Sequence, residues 1–212
     1  MNVILKGAAL GAAFLAVPAV SQAAVLDFAT YAKGNEHGVI NGDAENIGGL
    51  NITFHAYDGN NNAFAYFDSS PVSVTNTAGL GVCSVLRGSQ LNSDEYGGGT
   101  NECNPGSDDN VTSGESVMLT FDFVVDMHSL QFTNGGHKPV LGTDTLLING
   151  GEYTFDQASA IHFVGQSISF AYGGSSANQF YLIGATGSVP APAALGFFGL
   201  GLAGLGFARR RS

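Results

Sequence analysis

The chain has 212 residues, of which 44% are hydrophobic and only 11% charged, with a formal net charge of −10. The length is typical of one domain or two small ones. The acidic balance excludes a nucleic-acid-binding protein, because phosphate binding needs clustered Lys and Arg, and the apolar content excludes a highly charged disordered chain.

The first 23 residues have the three parts of a secretory signal peptide. Lys6 supplies the positive charge, and the run 7–20 is uncharged and almost wholly apolar. The run has about 14 residues, whereas a membrane-spanning helix needs about 20. Small residues ending at Ala23 predict cleavage by signal peptidase after that residue. A buried N-terminal helix is the alternative, and export is the interpretation we favour.

Residues 24–188 have the pattern of a single all-β domain. Apolar and polar residues alternate along 50–57 and 117–124, and shorter alternating stretches continue to residue 182. Gly- and Asn-rich turn signals separate these stretches, which is typical of an antiparallel sandwich or barrel. Asn149-Gly150-Gly151 predicts a β-hairpin between 145–148 and 152–155. We expect a jelly-roll-like antiparallel β-sandwich without an amphipathic helix of ten residues.

Cys83 and Cys103 are the two cysteines of the chain. An even number of cysteines in an exported protein predicts a disulfide, because the compartments outside the cytoplasm are oxidising. A metal site is the weaker alternative, since no His or further Cys lies at ligand spacing.

All 17 acidic residues lie in the predicted domain, with only three basic ones. The densest acidic stretch follows Cys83 and includes Asp94, Glu95, Asp108, Asp109 and Asn110. Oxygen ligands on loops are what Ca²⁺ requires, so this stretch is a candidate calcium site. A solvated acidic loop is the alternative, because the spacing matches no EF-hand. Asp58, in the turn Asp58-Gly59-Asn60, is a second and weaker candidate.

The last 24 residues form another terminal signal. Val189, Pro190, Ala191 and Pro192 form an extended step, the run 193–208 is uncharged, and Arg209, Arg210 and Arg211 precede the final serine. A helix over 193–208 would be about 24 Å long, which is short for a bilayer core of about 30 Å. The terminal arginines predict that this end stays cytoplasmic. We therefore expect a short C-terminal transmembrane helix that tethers the domain to the inner membrane transiently.

This layout resembles the PEP-CTERM sorting signal, a family also labelled the ice-binding protein C-terminal domain. Ala191 stands where the name-giving motif has Glu. The resemblance implies that an exosortase of a Gram-negative bacterium cuts near the Pro-x-Pro step and passes the protein to the cell surface or matrix. A looser resemblance to exported proteins with this signal runs through Gly79-Leu-Gly-Val-Cys83, the stretch 103–112 and the strand pattern 114–121. It implies a β-sandwich and nothing catalytic.

The sequence holds no G-x-S-x-G elbow, P-loop or H-E-x-x-H, and the G-x-G-x-x-G match at 199–204 lies in the apolar tail, eight residues from the end, where no βαβ unit can surround it. The five histidines are scattered singly. We therefore predict a non-enzymatic protein with a structural or adhesive role in a biofilm or at the cell surface. A calcium-dependent module that binds extracellular polysaccharide is the alternative, and a secreted glycosidase is a more remote one, because two carboxylates facing one cleft would suffice.

Overall fold

A computed structural model describes residues 22–33, 35–69, 78–87 and 101–189. These residues belong to one compact unit, Gln22–Pro190. The hydrophobic part of the predicted signal peptide and the predicted helix over 193–208 lie outside the described residues. Within the described ranges, no helix has the length and apolar character needed to cross a bilayer.

The prediction of an all-β fold is confirmed. The described residues form eleven strands and two short helices, α1 (Phe28–Ala32) and α2 (Phe155–Ala160). The strands are β1 (Gln22–Asp27), β2 (His37–Val39), β3 (Ala44–Ile47), β4 (Leu50–Asp58), β5 (Asn61–Phe67), β6 (Leu80–Cys83), β7 (Glu115–Asn134), β8 (Thr145–Ile148), β9 (Gly151–Thr154), β10 (Phe163–Ala171) and β11 (Phe180–Val189). Both helices are shorter than ten residues.

The strands pair around a closed ring. The order β11-β6-β5-β4-β7 returns to β11, because β7 also pairs with β11, and every one of these pairings is antiparallel. The ring is therefore a five-stranded barrel. The other strands extend it: β1 adds to β11, β10 adds to β7 and leads to β8 and β9, β2 pairs with β5 and β3 with β4. Closure leaves no free edge among the five ring strands.

The long strand β7 serves two parts of the fold. Its first half pairs with β4 on one side and β10 on the other, and its second half pairs with β11. The buried hydrophobic side chains are odd-numbered from Val117 to Met127 and even-numbered at Leu130 and Phe132. The change of phase falls at Ser129, whose φ is 53°. An extra residue of this kind bends a strand, which allows one strand to serve both neighbours.

Local sequence signals set the hairpin and the longer of the two helices. Asn149 and Gly150 form the two-residue turn between β8 and β9, with φ values of 51° and 78°. Two consecutive positive φ values are what a type I′ turn requires, and Asn-Gly provides them. Helix α2 begins with a capping box, in which Thr154 and Gln157 each accept the other's backbone N–H. The predicted hairpin is thus confirmed.

Aromatic rings fill the interior of the main core. Phe54 of β4 meets Phe67 of β5 edge-on at 5.4 Å, and Phe132 of β7 meets Phe180 of β11 in the same way at 5.8 Å. Such edge-to-face contacts stabilise a core beyond the area they bury. A second, smaller cluster lies apart from the main core and consists of Phe64, Tyr66, Cys83, Leu86 and Cys103. The candidate functional residues lie around this smaller cluster.

Candidate functional site: two carboxylate clusters beside the disulfide

The predicted disulfide is confirmed. Cys83, at the end of β6, is bonded to Cys103, and the two Cα atoms are 5.8 Å apart. Both cysteines are buried. Because their sulfurs are bonded to each other, they offer no thiolate to a metal, although Asp108 lies close to them. The disulfide therefore holds the surrounding carboxylates in place and is not itself a ligand.

The acidic stretch that predicts calcium does not converge on one point. Asp94 and Glu95 lie outside the described residues. Asp108 accepts a hydrogen bond from the backbone N–H of Ser84 at 3.2 Å, whereas Asp109 accepts one from the hydroxyl of Tyr181. Asp109 and Asn110 are both buried. The neighbouring carboxylates Asp108 and Asp109 thus belong to two separate clusters.

The first cluster, which we name the Ser84 cluster, consists of Asp58, Ser84, Asp108 and Glu115. The Ser84 hydroxyl lies 3.1 Å from Oδ2 of Asp58 and 3.4 Å from Oε1 of Glu115, and it can donate its proton to either. The turn residue Asp58 is brought here because it pairs with Glu115 across β4 and β7. The structure therefore joins the weaker sequence candidate, Asp58, with Asp108 of the stronger one.

Burial governs the protonation of this cluster. Glu115 is only 2% exposed, and burial raises its pKa to about 8. The hydrogen bond from the backbone N–H of Thr112, at 2.8 Å, lowers the pKa, while the charges of Asp108 and Asp58 raise it. At neutral pH the Glu115 carboxyl therefore holds a proton. A neutral carboxyl is a weaker calcium ligand than a carboxylate, which reduces the cluster's affinity for calcium.

The second cluster, which we name the Tyr181 cluster, consists of Asp68, Asp109, Asn110, His137 and Tyr181. Tyr181 is fully buried on β11, and its hydroxyl donates to Asp109 and lies 3.3 Å from Nε2 of His137. Oδ2 of Asp68 lies 2.9 Å from the same nitrogen, close enough for an ion pair but without hydrogen-bond alignment. Tyr181 is the hub that joins two buried carboxyls and an imidazole.

Turns and strand ends bring these five residues together. Asp68 directly follows β5, and its backbone N–H donates to the carbonyl of Gly79 at 2.9 Å. Val111 exchanges backbone hydrogen bonds with Phe180, which places Asp109 beside Tyr181. Gly81 of β6 is required for this approach, because a Cβ there would lie 2.0 Å from the carbonyl oxygen of Asp109. The cluster is therefore built into the backbone packing.

The turn after β7 carries His137 and also lies against β11. Oδ1 of Asn134 accepts hydrogen bonds from the backbone N–H groups of Gly136, at 2.9 Å, and Lys138, at 3.1 Å. His137 lies between them with a φ of 59°. An Asn side chain that closes a turn in this way fixes the residues inside it. His137 is thereby directed at Tyr181.

Burial also raises the pKa values of the Tyr181 cluster. The pKa of Asp68 rises to about 7, first because of burial and then because of the charges of Asp109 and Glu36, while a hydrogen bond from Tyr181 lowers it. Burial raises the pKa of Asp109 as well, and that of the Tyr181 hydroxyl beyond the normal range for tyrosine. Both carboxyls therefore bind a proton more tightly than exposed carboxyls do.

A further tyrosine connects the disulfide to the surface. The hydroxyl of Tyr66 donates to Oε1 of Glu36 at 2.6 Å and accepts the backbone N–H of Cys103 at 3.0 Å. Tyr66 is fully buried and Glu36 is exposed. Burial and the bond to Glu36 raise the pKa of this hydroxyl. Tyr66 thus anchors Cys103 in the smaller core.

Two of the residues predicted for processing, Ala23 and Val189, lie in one pair of strands. Ala23 of β1 lies opposite Ser188 of β11, and Val189 lies opposite Gln22. Pro190, Ala191, Pro192, Arg209, Arg210 and Arg211 lie outside the described residues. The predicted signal-peptide cleavage after Ala23 would leave Ala24–Asp27 paired with β11.

An open pocket lies between β7 and α2. Leu130, Phe132, Val140 and Phe155 line its apolar part, and Asp156 and Ser159 lie at its rim. A single carboxylate at the rim does not provide the facing pair that glycoside hydrolysis requires. In comparisons with known proteins, no family model, curated protein sequence or solved structure matches the chain.

Proposed function

We propose that the chain is an exported structural or adhesive protein of the bacterial cell surface or biofilm matrix, processed by signal peptidase and an exosortase. The observation that carries this proposal is the buried Cys83–Cys103 disulfide in its own small core. Disulfides of this kind persist in oxidising compartments. The predicted signal peptide and the tail that resembles a PEP-CTERM signal supply the route.

The arrangement of the termini supports a transient tether. In the β1–β11 pair, the predicted signal cleavage site at Ala23 and the start of the sorting signal at Val189 lie at the same end of the domain. During export, the domain would then hang from the inner membrane by the predicted helix over 193–208 alone. Cleavage near the Pro-x-Pro step would release it with β11 complete to Val189.

The inward direction of the carboxylates favours a structural role. Asp108 and Asp109, the described acidic members of the predicted calcium site, accept hydrogen bonds from Ser84 and Tyr181 of the fold. They are thus used to fasten loops, which is the task of a stable extracellular scaffold. For the finer description of the fold, we propose a barrel flattened into two facing layers, the jelly-roll-like sandwich that the sequence predicts. The bend of β7 at Ser129, which allows one strand to pair with β4 in its first half and with β11 in its second, supports that description.

A calcium-dependent module that binds polysaccharide is the second candidate. It is favoured by the Ser84 cluster, in which Asp58 and Glu115 lie beside the Ser84 hydroxyl and Asp108 accepts the Ser84 backbone N–H. Three carboxyls on strand ends and loops are a donor set that calcium accepts once Glu115 loses its proton. This candidate therefore requires binding that strengthens as the pH rises through about 8.

The experiment for the route is fractionation of bacterial cells. Full-length chain is expressed in an exosortase-containing Gram-negative host beside a variant that lacks residues 190–212, so that β11 stays intact. We expect only the full-length chain in the surface or matrix fraction, and the truncated variant folded and released. A matched variant with lysine at Arg209, Arg210 and Arg211 keeps the charge and tests whether charge alone is read. A truncated protein that reaches the same fraction would refute the sorting role.

The experiment for the role of the domain is retention on a panel of bacterial polysaccharides, in calcium and in chelator. The structural proposal predicts retention, where it occurs, that does not change when calcium is removed. Calcium-dependent retention on one class of glycan, abolished by Asp108→Asn and preserved by Asp43→Asn, would place the binding module first. Asp43 is a suitable control because it is an exposed carboxylate outside both clusters.

A further inference from the structure

One group of metal-ligating side chains lies outside both carboxylate clusters. Asp126 and His128 occupy alternate positions on β7, so their side chains leave the same face of the sheet. His162 precedes β10, and Val164 of β10 lies opposite Asp126 in the register of the two strands. Two adjacent strands therefore bring together one carboxylate and two imidazoles.

The donor atoms of these residues are close to one another. Nδ1 of His162 lies 2.9 Å and 3.0 Å from the two oxygens of Asp126, and Nδ1 of His128 lies 3.9 Å from Oδ1 of Asp126. All three donor atoms lie within 4.8 Å of each other. Ligand atoms around a tetrahedral zinc ion lie about 3.3 Å apart, since each bond is about 2.0–2.1 Å long. Small side-chain rotations therefore suffice to bring the group to coordination distances.

The nitrogen of His128 is the second observation that points to a ligand. Nδ1 of His128 is buried and has no hydrogen-bond partner among the described residues. Buried polar atoms in folded proteins nearly always have a partner, and an unmet one requires an explanation such as a bound ion or water. The atom faces Asp126 across 3.9 Å, a gap too long for a hydrogen bond. An ion between them would satisfy both groups.

We propose that Asp126, His128 and His162 form a binding site for a divalent transition-metal ion, of which zinc is the representative. Imidazole nitrogen suits zinc and copper, whereas calcium and magnesium require oxygen ligands. The carboxylate balances one of the two charges of the ion. The chain's net charge of −10 also attracts cations to its surface.

The two imidazoles determine how the ion enters. Their rings are stacked, with centroids 4.6 Å apart and planes 12° from parallel. Parallel rings cannot direct their in-plane lone pairs at one point, so one ring must tilt when the ion binds. His162 is the ring that moves, because its side chain is 59% exposed whereas that of His128 is 25% exposed. Three protein ligands leave a fourth position for water or for a donor atom of another molecule.

The test is calorimetric titration of the full-length chain, without an affinity tag and in mild detergent, with zinc chloride. We expect one zinc ion per chain, and a loss of at least tenfold in affinity for His162→Ala. The matched control is His55→Ala, a histidine on β4 outside the group, which should bind as the unchanged chain does. Thermal melts without metal verify that each variant is folded. Absence of zinc binding, or equal binding by His162→Ala, overturns the proposal.

Two further measurements distinguish a metal site from a purely structural contact. In NMR spectra, zinc should shift the imidazole signals of His128 and His162 together, because the rings lose their stacking, while the signals of His55 stay in place. Calcium chloride should cause no such shift. If calcium displaces zinc at equal concentration, the oxygen atoms alone bind the ion, and a site that depends on imidazole is rejected.

Discussion

The molecule contains two histidine–carboxylate pairs with the same separation and different surroundings. Nε2 of His137 lies 2.9 Å from Asp68 in the Tyr181 cluster, and Nδ1 of His162 lies 2.9 Å from Asp126 on the outer face of the sheet. The side chain of Asp68 is 6% exposed, whereas that of Asp126 is 30% exposed. Burial, and not the distance between the atoms, separates a contact that fastens the fold from one that is open to a ligand.

Burial changes both the energetics and the chemistry of such a pair. Inside the protein, an unpaired charge is costly, so burial raises the pKa values of the Asp68 and Asp109 carboxyls, and the Tyr181 hydroxyl donates to Asp109. At the surface, water solvates the Asp126 carboxylate and leaves it free to exchange partners. We therefore expect substitutions in the buried pair to act on stability and substitutions in the exposed pair to act on binding.

The largest expected effect comes from breaking the Cys83–Cys103 disulfide, which lies beside the buried clusters. Cys83→Ser should destabilise the fold by about 3 kcal/mol, because the loop closed by the disulfide spans about 20 residues. That loss corresponds to a fall in melting temperature of about 10 °C for a domain of this size. Calorimetry under oxidising conditions measures it, and reducing agent should bring the unchanged chain to the same value. Equal melting of the oxidised chain and the variant would contradict the structural role of the bond.

The next largest effect tests Tyr181, whose hydroxyl lies beside His137 of the buried pair. Tyr181→Phe removes the hydroxyl and leaves the Asp109 carboxyl without its donor, which should cost about 1–3 kcal/mol. Urea unfolding measures the loss. Tyr172→Phe is the matched control, because the Tyr172 ring also packs against the main core while its hydroxyl forms no hydrogen bond among the described residues. An equal loss in both variants would show that the hydrogen bond to Asp109 is not responsible.

The pH dependence of stability separates the buried pair from the exposed carboxylates. The folded chain keeps the proton of Asp68 up to about pH 7, whereas the unfolded chain releases it near pH 4. The folded state thus binds more protons at Asp68 between these values, so the contribution of Asp68 to stability is fully present below about pH 4 and is lost as the pH rises through about 7. Asp109, Glu36 and His137 face this carboxyl.

Melting temperatures measured from pH 4 to pH 9 test this linkage. Asp68→Asn cannot titrate, so its stability should fall less steeply up to pH 7, while Glu115 continues to lower stability up to about pH 8 in both proteins. Asp43→Asn, in an exposed turn, should follow the curve of the unchanged chain. Parallel curves for Asp68→Asn and the unchanged chain would show that Asp68 does not hold its proton.

Local patterns in the sequence predict the strands of this fold and miss its closure. The alternation along 50–57 and the Asn149-Gly150 turn predict β4 and the β8–β9 hairpin, because both depend on adjacent residues. The pairing of β7 with β11, which closes the ring, joins residues about fifty positions apart, and no local pattern records it. The capping box of α2, formed by Thr154 and Gln157, is a local signal for the start of a helix, but it overlaps the strand predicted over 152–155.

In the candidate sites, too, some features follow from local sequence and others depend on how distant parts of the chain meet. The even number of cysteines predicts the disulfide. The adjacency of Asp108 and Asp109 in the sequence predicts a shared site, but in the structure the two side chains accept hydrogen bonds from different partners, Ser84 and Tyr181. In an extended segment successive side chains point to opposite sides, so neighbouring acidic residues rarely converge. The sequence does not predict the roles of Tyr181 and His137, because those roles depend on where distant parts of the chain meet.

The smallest expected effect concerns the exposed pair, His162 and Asp126. In the absence of metal, His162→Ala should change the free energy of unfolding by less than about 0.5 kcal/mol, since the side chain is 59% exposed and its contact with Asp126 is screened by solvent. The same substitution in the presence of zinc should remove whatever stabilisation the ion gives, because only the folded chain assembles the site. Urea unfolding with and without zinc measures both. A loss without metal as large as that of Tyr181→Phe would mean that the exposed pair fastens the fold as the buried one does, and the distinction based on burial would be wrong.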